Sequence, residues 1–113
     1  MKLISAVVQP SALDPVKNAL DEVGVTGMTI VDAKGRGAQS GKVEVYRSQR
    51  VKVDFLPKIL IEIVVTDEKL DTALGAIEEA ARTGAIGDGK IWVTDVLQVI
   101  RVRTGEKGPE AVQ

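Results

Sequence analysis

Apolar residues along the chain fall into two similar repeats, each an apolar run, then a stretch with helical spacing, then a second apolar run. Leu3 to Val8 is a short apolar run stopped by Pro10, which reads as a buried strand. Val16, Ala19, Leu20 and Val23 follow at i, i+3, i+4 and i+7, with Asp14-Pro15 ahead as N-cap and first helical residue and Gly24 placed to end the helix in a left-handed cap. Met28 to Ala33 is strand-like, with β-branched residues at three of its six positions. The second repeat opens with Ile59 to Val65, another buried strand. Thr66-Asp67-Glu68 then caps a helix whose apolar stripe is Leu70, Ala73, Leu74, Ile77, Ala80 and Ala81, and Ile91 to Val96 is a further strand. It runs into Val99 to Arg103, whose alternation points Arg101 and Arg103 the same way. The polar end from Gly105 to Gln113 is expected to be a mobile tail.

The order βαβ, then βαβ, is the ferredoxin-like βαββαβ arrangement, an α+β fold with an antiparallel four-stranded sheet and both helices on one face. Strands this apolar need cover on the other face too, so subunits are expected to pack sheet against sheet. Between the second and third strands lies a connection of roughly 20 residues, Gly35 to Asp54, long enough to imply a job of its own. Within it Val43, Val45, Val51, Val53 and Phe55 alternate with charged residues about a polar tip, Tyr46-Arg47-Ser48-Gln49-Arg50. A protruding hairpin fits, and so does a plain extension of the sheet.

Composition narrows the chemistry. The 113 residues suit one domain, and 15 basic against 16 acidic side chains give no basic footprint for nucleic acid or an anionic membrane. Without cysteine or histidine the chain has no thiol or imidazole nucleophile and no zinc site of the usual ligand type. The start of the chain is too short an apolar run for a signal peptide, and no 18-residue apolar span occurs, so a cytoplasmic protein is expected.

Two features carry candidate chemistry. Thr83-Gly84-Ala85-Ile86-Gly87-Asp88-Gly89-Lys90 leads into a strand, and its glycines expose backbone N–H groups beside one ammonium, as a phosphate site requires. It fits neither the P-loop nor the dinucleotide fingerprint, and a helix C-cap at Gly84 followed by a tight turn explains it equally well. Glu62 is the second feature, a carboxylate inside an apolar strand. It stands either at an edge open to water or as an acceptor facing a cleft.

The glycine run through Val93, with Gly24-Val25-Thr26-Gly27-Met28-Thr29, Val53-Asp54-Phe55-Leu56-Pro57-Lys58 and Arg101-Val102-Arg103-Thr104-Gly105-Glu106, resembles the PII nitrogen-regulatory signal-transduction proteins over nearly the whole length. The resemblance implies a homotrimer with inter-subunit clefts for ATP or ADP. It also implies sensing of 2-oxoglutarate through Mg-ATP, and a flexible T-loop, here about residues 36–54, that engages a target such as an ammonium transporter. Position by position, it implies a nucleotide site of Val7, Thr29, Gly35, Arg36, Gly37, Ala38, Glu62, Val64, Gly87, Asp88, Gly89, Lys90, Arg101 and Arg103. It further implies Gln39 as ligand to Mg and 2-oxoglutarate, and Lys58 as partner of the acid's free carboxylate. Tyr46, Arg47 and Arg50 are the candidate partner contacts, Arg47 matching the position that members insert into the mouth of an ammonium channel.

The departures are equally specific. Where the family's loop signature ends in a tyrosine that is nucleotidylated, this chain has Val51, which has no hydroxyl to modify. Ala38 replaces an arginine that reaches the terminal phosphate, with Arg36 the candidate substitute, and Gln9 stands where a basic residue is common. Two kinds of function follow: a ligand-gated regulator, including a divergent paralogue serving another transporter or a carbon-metabolism partner, or an enzyme hydrolysing ATP slowly with Asp88 or Glu62 as base.

Overall fold

The computed structural model describes residues 1–37, 42–46, 49–53 and 55–112, the two segments 42–46 and 49–53 by their backbone. The elements are β1 (Lys2–Val8), α1 (Leu13–Glu22), β2 (Thr29–Gly35), β3 (Lys42–Tyr46), β4 (Gln49–Val53), β5 (Leu56–Val65), α2 (Leu70–Ala81) and β6 (Gly89–Asp95). A four-stranded sheet runs β2-β5-β1-β6 with every neighbouring pair antiparallel. This is the expected ferredoxin-like order. Among the described residues β3 and β4 pair with each other and not with the main sheet, Tyr46 opposite Gln49 and Glu44 opposite Val51, which is the hairpin reading of the long connection.

One face of the sheet is closed by both helices. Ile4, Ala6 and Val8 from β1 and Ile59, Ile61, Ile63 and Val65 from β5 are buried against Val16 and Leu20 of α1 and Ala73, Ile77 and Ala81 of α2. Those helical residues belong to the i, i+3, i+4 stripes of the sequence, and burying each of the larger ones contributes about 1.5–3 kcal/mol. The alternate residues point the other way. In register across the sheet stand Thr29, Val31 and Ala33; Lys58, Leu60, Glu62 and Val64; Leu3, Ser5 and Val7; and Lys90, Trp92 and Thr94. Among the described residues no element covers that face, and Val31 and Trp92 are 44% and 46% exposed on it.

Several boundaries differ from expectation. A 3-10 turn, Pro10–Ala12, precedes α1, which begins at Leu13, so Asp14 sits in the first turn and is not the N-cap. A second such turn, Asp67–Lys69, separates Thr66 from α2. Helix α2 stops at Ala81, with Arg82 extended, so Gly84 lies in the following loop and does not cap the helix, although its φ of 85° is left-handed. β5 starts at Leu56, three residues before the apolar run Ile59 to Val65, because Lys58 pairs in register with Ala33.

The largest correction concerns the end of the chain. β6 ends at Asp95, and Val99 to Arg103 forms no strand beyond the single bridge Ile100 to Lys107. The chain turns back instead. Gly105 N–H donates to Arg101 O at 2.8 Å, Arg101 N–H to Glu106 O at 2.9 Å and Gly108 N–H to Val99 O at 2.9 Å, ahead of a 3-10 turn at Gly108–Ala111. The segment read from sequence as a mobile tail thus carries internal hydrogen bonds through residue 112.

Candidate functional site

The glycine run lies at one end of the sheet, where α2 hands the chain to the edge strand β6. Gly84, Gly87 and Gly89 all have positive φ, at 85°, 102° and 104°. At Gly89 the demand is also steric. A Cβ there would stand 1.8 Å from the carbonyl oxygen of Val7, because β6 enters the sheet directly against β1. Only glycine permits that approach.

Asp88 is turned into this loop. Its Oδ2 accepts the backbone N–H of Thr83 at 2.7 Å and of Gly84 at 2.9 Å, and its Oδ1 accepts the Thr83 hydroxyl at 2.5 Å. The Thr83 hydroxyl hydrogen bond, then the two backbone donors and the nearby Lys58 ammonium, hold the Asp88 carboxyl below the usual carboxylate range. On the other flank Lys58, almost fully buried, donates from Nζ to the Gly87 carbonyl at 2.9 Å.

These pieces line one cleft of about 510 Å³, walled by Val7, Leu56, Lys58 and Trp92 of the open sheet face, by Gly35, Arg36 and Gly37 at the end of β2, and by Ala85 and Gly87 to Lys90. Three cationic side chains, Arg36, Lys58 and Lys90, therefore share it with the glycine backbone. That combination is chemically suited to anions, since positive charge and backbone N–H groups reinforce each other.

The other expected site residues divide by position. Glu62 is in a central strand, between Ser5 of β1 and Thr29 of β2, which excludes the edge reading; it and Thr29 face the open side of the sheet. Val64 lies further along, opposite Leu3, and lines a separate cavity with Gly24 to Gly27. Arg101 and Arg103 are not brought to the cleft within one chain. They follow β6, whose seven residues span roughly 20 Å away from Lys90. Arg101 is held there by Glu106 Oε1, 2.7 Å from Nη1, and by the Glu110 carbonyl, 3.2 Å from Nη2. Arg103 is exposed on the turn. Ala38, Gln39 and Arg47 lie outside the described residues, and Tyr46 and Arg50 are placed by backbone register alone, Arg50 opposite Val45.

Sequence reasoning passed over Thr83, Leu56, Ala85 and Trp92 as site residues. For Trp92 the signal was available, since period-two alternation from Lys90 puts both on one face. For Thr83 the signal is weaker: a hydroxyl five residues before an aspartate, across a glycine.

Fold and cleft together define a ferredoxin-like α+β domain with an anion-receptive pocket at one sheet end and a separate hairpin inserted between β2 and β5. Residues 1–106 match the family described as Nitrogen regulatory protein P-II. The chain is 54% identical over 112 residues to Nitrogen regulatory protein P-II of Azospirillum brasilense, 53% to that of Pasteurella multocida strain Pm70, and 54% to Nitrogen regulatory protein P-II 1 of Escherichia coli K12. Each alignment covers 99% of this chain and all of the relative. This chain belongs to the P-II family of nitrogen regulatory proteins.

Proposed function

We propose that the protein is a nitrogen- and carbon-status regulator that reads ATP, ADP and 2-oxoglutarate and acts on a target protein through the 36–54 loop. The observation that carries this reading is the cleft in which Arg36, Lys58 and Lys90 surround the left-handed backbone of Gly87 and Gly89. Phosphate chains suit it, because ammonium, guanidinium and N–H groups all donate to their oxygens. Mg is compatible with the same place. Among the described residues no three acidic side chains gather into a cage, and an ion that takes few protein ligands would be held through phosphate oxygens, with Gln39 supplying one ligand.

Arg101 and Arg103 complete the site when they come from a second subunit. The uncovered sheet face, with exposed Val31 and Trp92, and the exposed Leu97, Ile100 and Val102 beyond β6 supply apolar surface for a homotrimer. The loop then reports occupancy: Tyr46, Arg47 and Arg50 dock on an ammonium transporter or another target, and 2-oxoglutarate captured by Gln39 and Lys58 withdraws them. Any contact with a membrane is through that partner, and the place of action is the cytoplasm. The reading favours regulation over hydrolysis: of the two candidate bases, the Asp88 carboxylate is engaged by three donors, and Glu62 stands mid-strand and is not among the residues that line the cleft.

Calorimetry with ATP, with 2-oxoglutarate in Mg-ATP, and with 2-oxoglutarate in EDTA tests the reading. Nucleotide binding, with 2-oxoglutarate binding confined to Mg-ATP, is expected. Equal 2-oxoglutarate affinity in EDTA, or no nucleotide binding at all, refutes it. For the target, membranes of the source cell are incubated with wild-type protein and Arg47→Ala, in ADP and in Mg-ATP with 2-oxoglutarate. Retention indifferent to both changes assigns the loop to a different partner.

A further inference from the structure

We infer that Thr83 is a positioning residue for the phosphate cleft: with Asp88 it staples residues 83–88 into the conformation that presents the Gly87 and Gly89 backbone and Lys90. The inference rests on the nucleotide reading above and adds a residue that touches no ligand.

The loop needs such a device. It carries left-handed glycines at 84, 87 and 89, and a chain this rich in glycine has many backbone conformations open to it. A phosphate site, in contrast, needs its donors fixed before the ligand arrives, or the cost of ordering them comes off the affinity. Four hydrogen bonds close the segment on itself. Asp88 Oδ2 collects the N–H groups of Thr83 and Gly84, and Oδ1 collects the Thr83 hydroxyl proton. The same hydroxyl oxygen accepts the N–H of Ala85 at 3.2 Å. Thr83 is therefore a relay, donor to one end of the loop and acceptor from its middle, and Lys58 pins the far side through the Gly87 carbonyl.

The arrangement also explains why an acid is tolerated beside a phosphate site. An unengaged carboxylate between Gly87 and Gly89 would repel the ligand, whereas here three donors are directed at it and its oxygens face Thr83 and Gly84. The acid acts on the ligand through the loop.

The test is calorimetry of ATP binding, with Mg and in EDTA, on wild-type protein, Thr83→Val, Thr83→Ser, Asp88→Asn and the Thr83→Val/Asp88→Asn double variant. Thr83→Val keeps the shape and removes the hydroxyl. It is expected to weaken ATP about tenfold with and without Mg, while Thr83→Ser, which keeps the relay, stays within about threefold of wild type. Asp88→Asn weakens binding by a similar factor, and the double variant loses little more than either single one, because both remove the same contacts. Amide exchange is expected to quicken at Gly84 and Ala85 in Thr83→Val while β1 and β5 keep their protection. Unchanged affinity in Thr83→Val overturns the inference. So does tighter binding by Asp88→Asn, which would make the carboxylate a repelling charge, and so does a loss seen only with Mg, which would place Asp88 on the metal. Wild-type protein that binds no nucleotide removes the reading underneath; wild-type binding with an unaffected Thr83→Val removes the staple alone.

Discussion

Replacing Gly89 by alanine tests how tightly the cleft is built into the sheet. The new Cβ would stand 1.8 Å from Val7 O, 2.8 Å from the Val7 carbonyl carbon and 3.2 Å from Val8 Cα. Carbon and oxygen in contact sit about 3.3–3.6 Å apart, so β1 and β6 must separate by more than an ångström where Val8 pairs with Gly89. Losing one or two ladder hydrogen bonds costs about 0.5–1.5 kcal/mol each, and holding alanine at a φ of 104° costs about 1–3 kcal/mol more. The expected loss is about 2–5 kcal/mol, or a fall in Tm of about 8–20 °C at roughly 4 °C per kcal/mol for a chain of this size. Gly84→Ala is the reference: φ is 85° there, but beyond its immediate chain neighbours no atom of the described residues lies within 4 Å of its Cβ, so only the torsional cost of about 1–2 kcal/mol applies. Thermal and urea melts of both variants are compared at one protomer concentration, because self-association would shift Tm by mass action. If Gly89→Ala proves no less stable than Gly84→Ala, the close approach of the two strands is not what glycine serves at position 89.

Lys90→Ala is expected to weaken ATP and ADP about ten- to a hundredfold by calorimetry, the worth of one charge-assisted phosphate contact, with Tm unchanged within error. Lys58→Met, which removes a donor to the Gly87 carbonyl from a buried position, is expected to destabilise the fold by about 1–3 kcal/mol in urea melts. The Asp88 carboxyl is held below its ordinary value, so its contribution to loop closure is present in full above about pH 5, begins to fall as pH nears the ordinary value of about 4, and is lost as pH falls through its lower folded-state value. Amide exchange at Gly84 and Ala85, corrected for intrinsic pH dependence, should therefore hold steady from pH 7 to about 5 and rise at more acid pH, whereas Asp88→Asn should show no such acid step. An acid step of equal size in Asp88→Asn would assign the titration to another group.

How far the sequence reached differs between fold and site, for reasons that particular residues show. The helices were legible because Val16, Leu20, Ala73 and Ile77 follow the 3.6-residue period and all end up buried. Helix starts were less so: Pro10 begins a 3-10 turn ahead of α1, and a proline marks the first position of either kind of turn equally well. The run from Val99 to Arg103 misled because alternation of apolar and basic residues is necessary for a strand but not sufficient. Its backbone pairs with Glu106 and Gly108 just downstream, close enough in sequence for a turn to satisfy it locally. That local turn leaves Arg101 at the end of the sheet opposite Lys90, so the cations that the sequence reading placed in one site are not gathered within one chain.

Asp88 marks the deeper limit. Residue type announces an acid beside glycines and a lysine, and from that alone the acid is a base, a metal ligand or a loop fastener. What separates these roles is where its two oxygens point. Both are turned onto Thr83 and Gly84, five and four residues back, and the three donors there leave the carboxylate well satisfied where it is. A base must be able to take a proton from a ligand, and a metal ligand must keep a lone pair toward the ion; with two donors on Oδ2 and one on Oδ1, most of the acceptor capacity is already committed to the loop. The glycines make the loop permissive, the acid makes it definite, and Lys90, the next cation along, lines the cleft on the open face of the sheet.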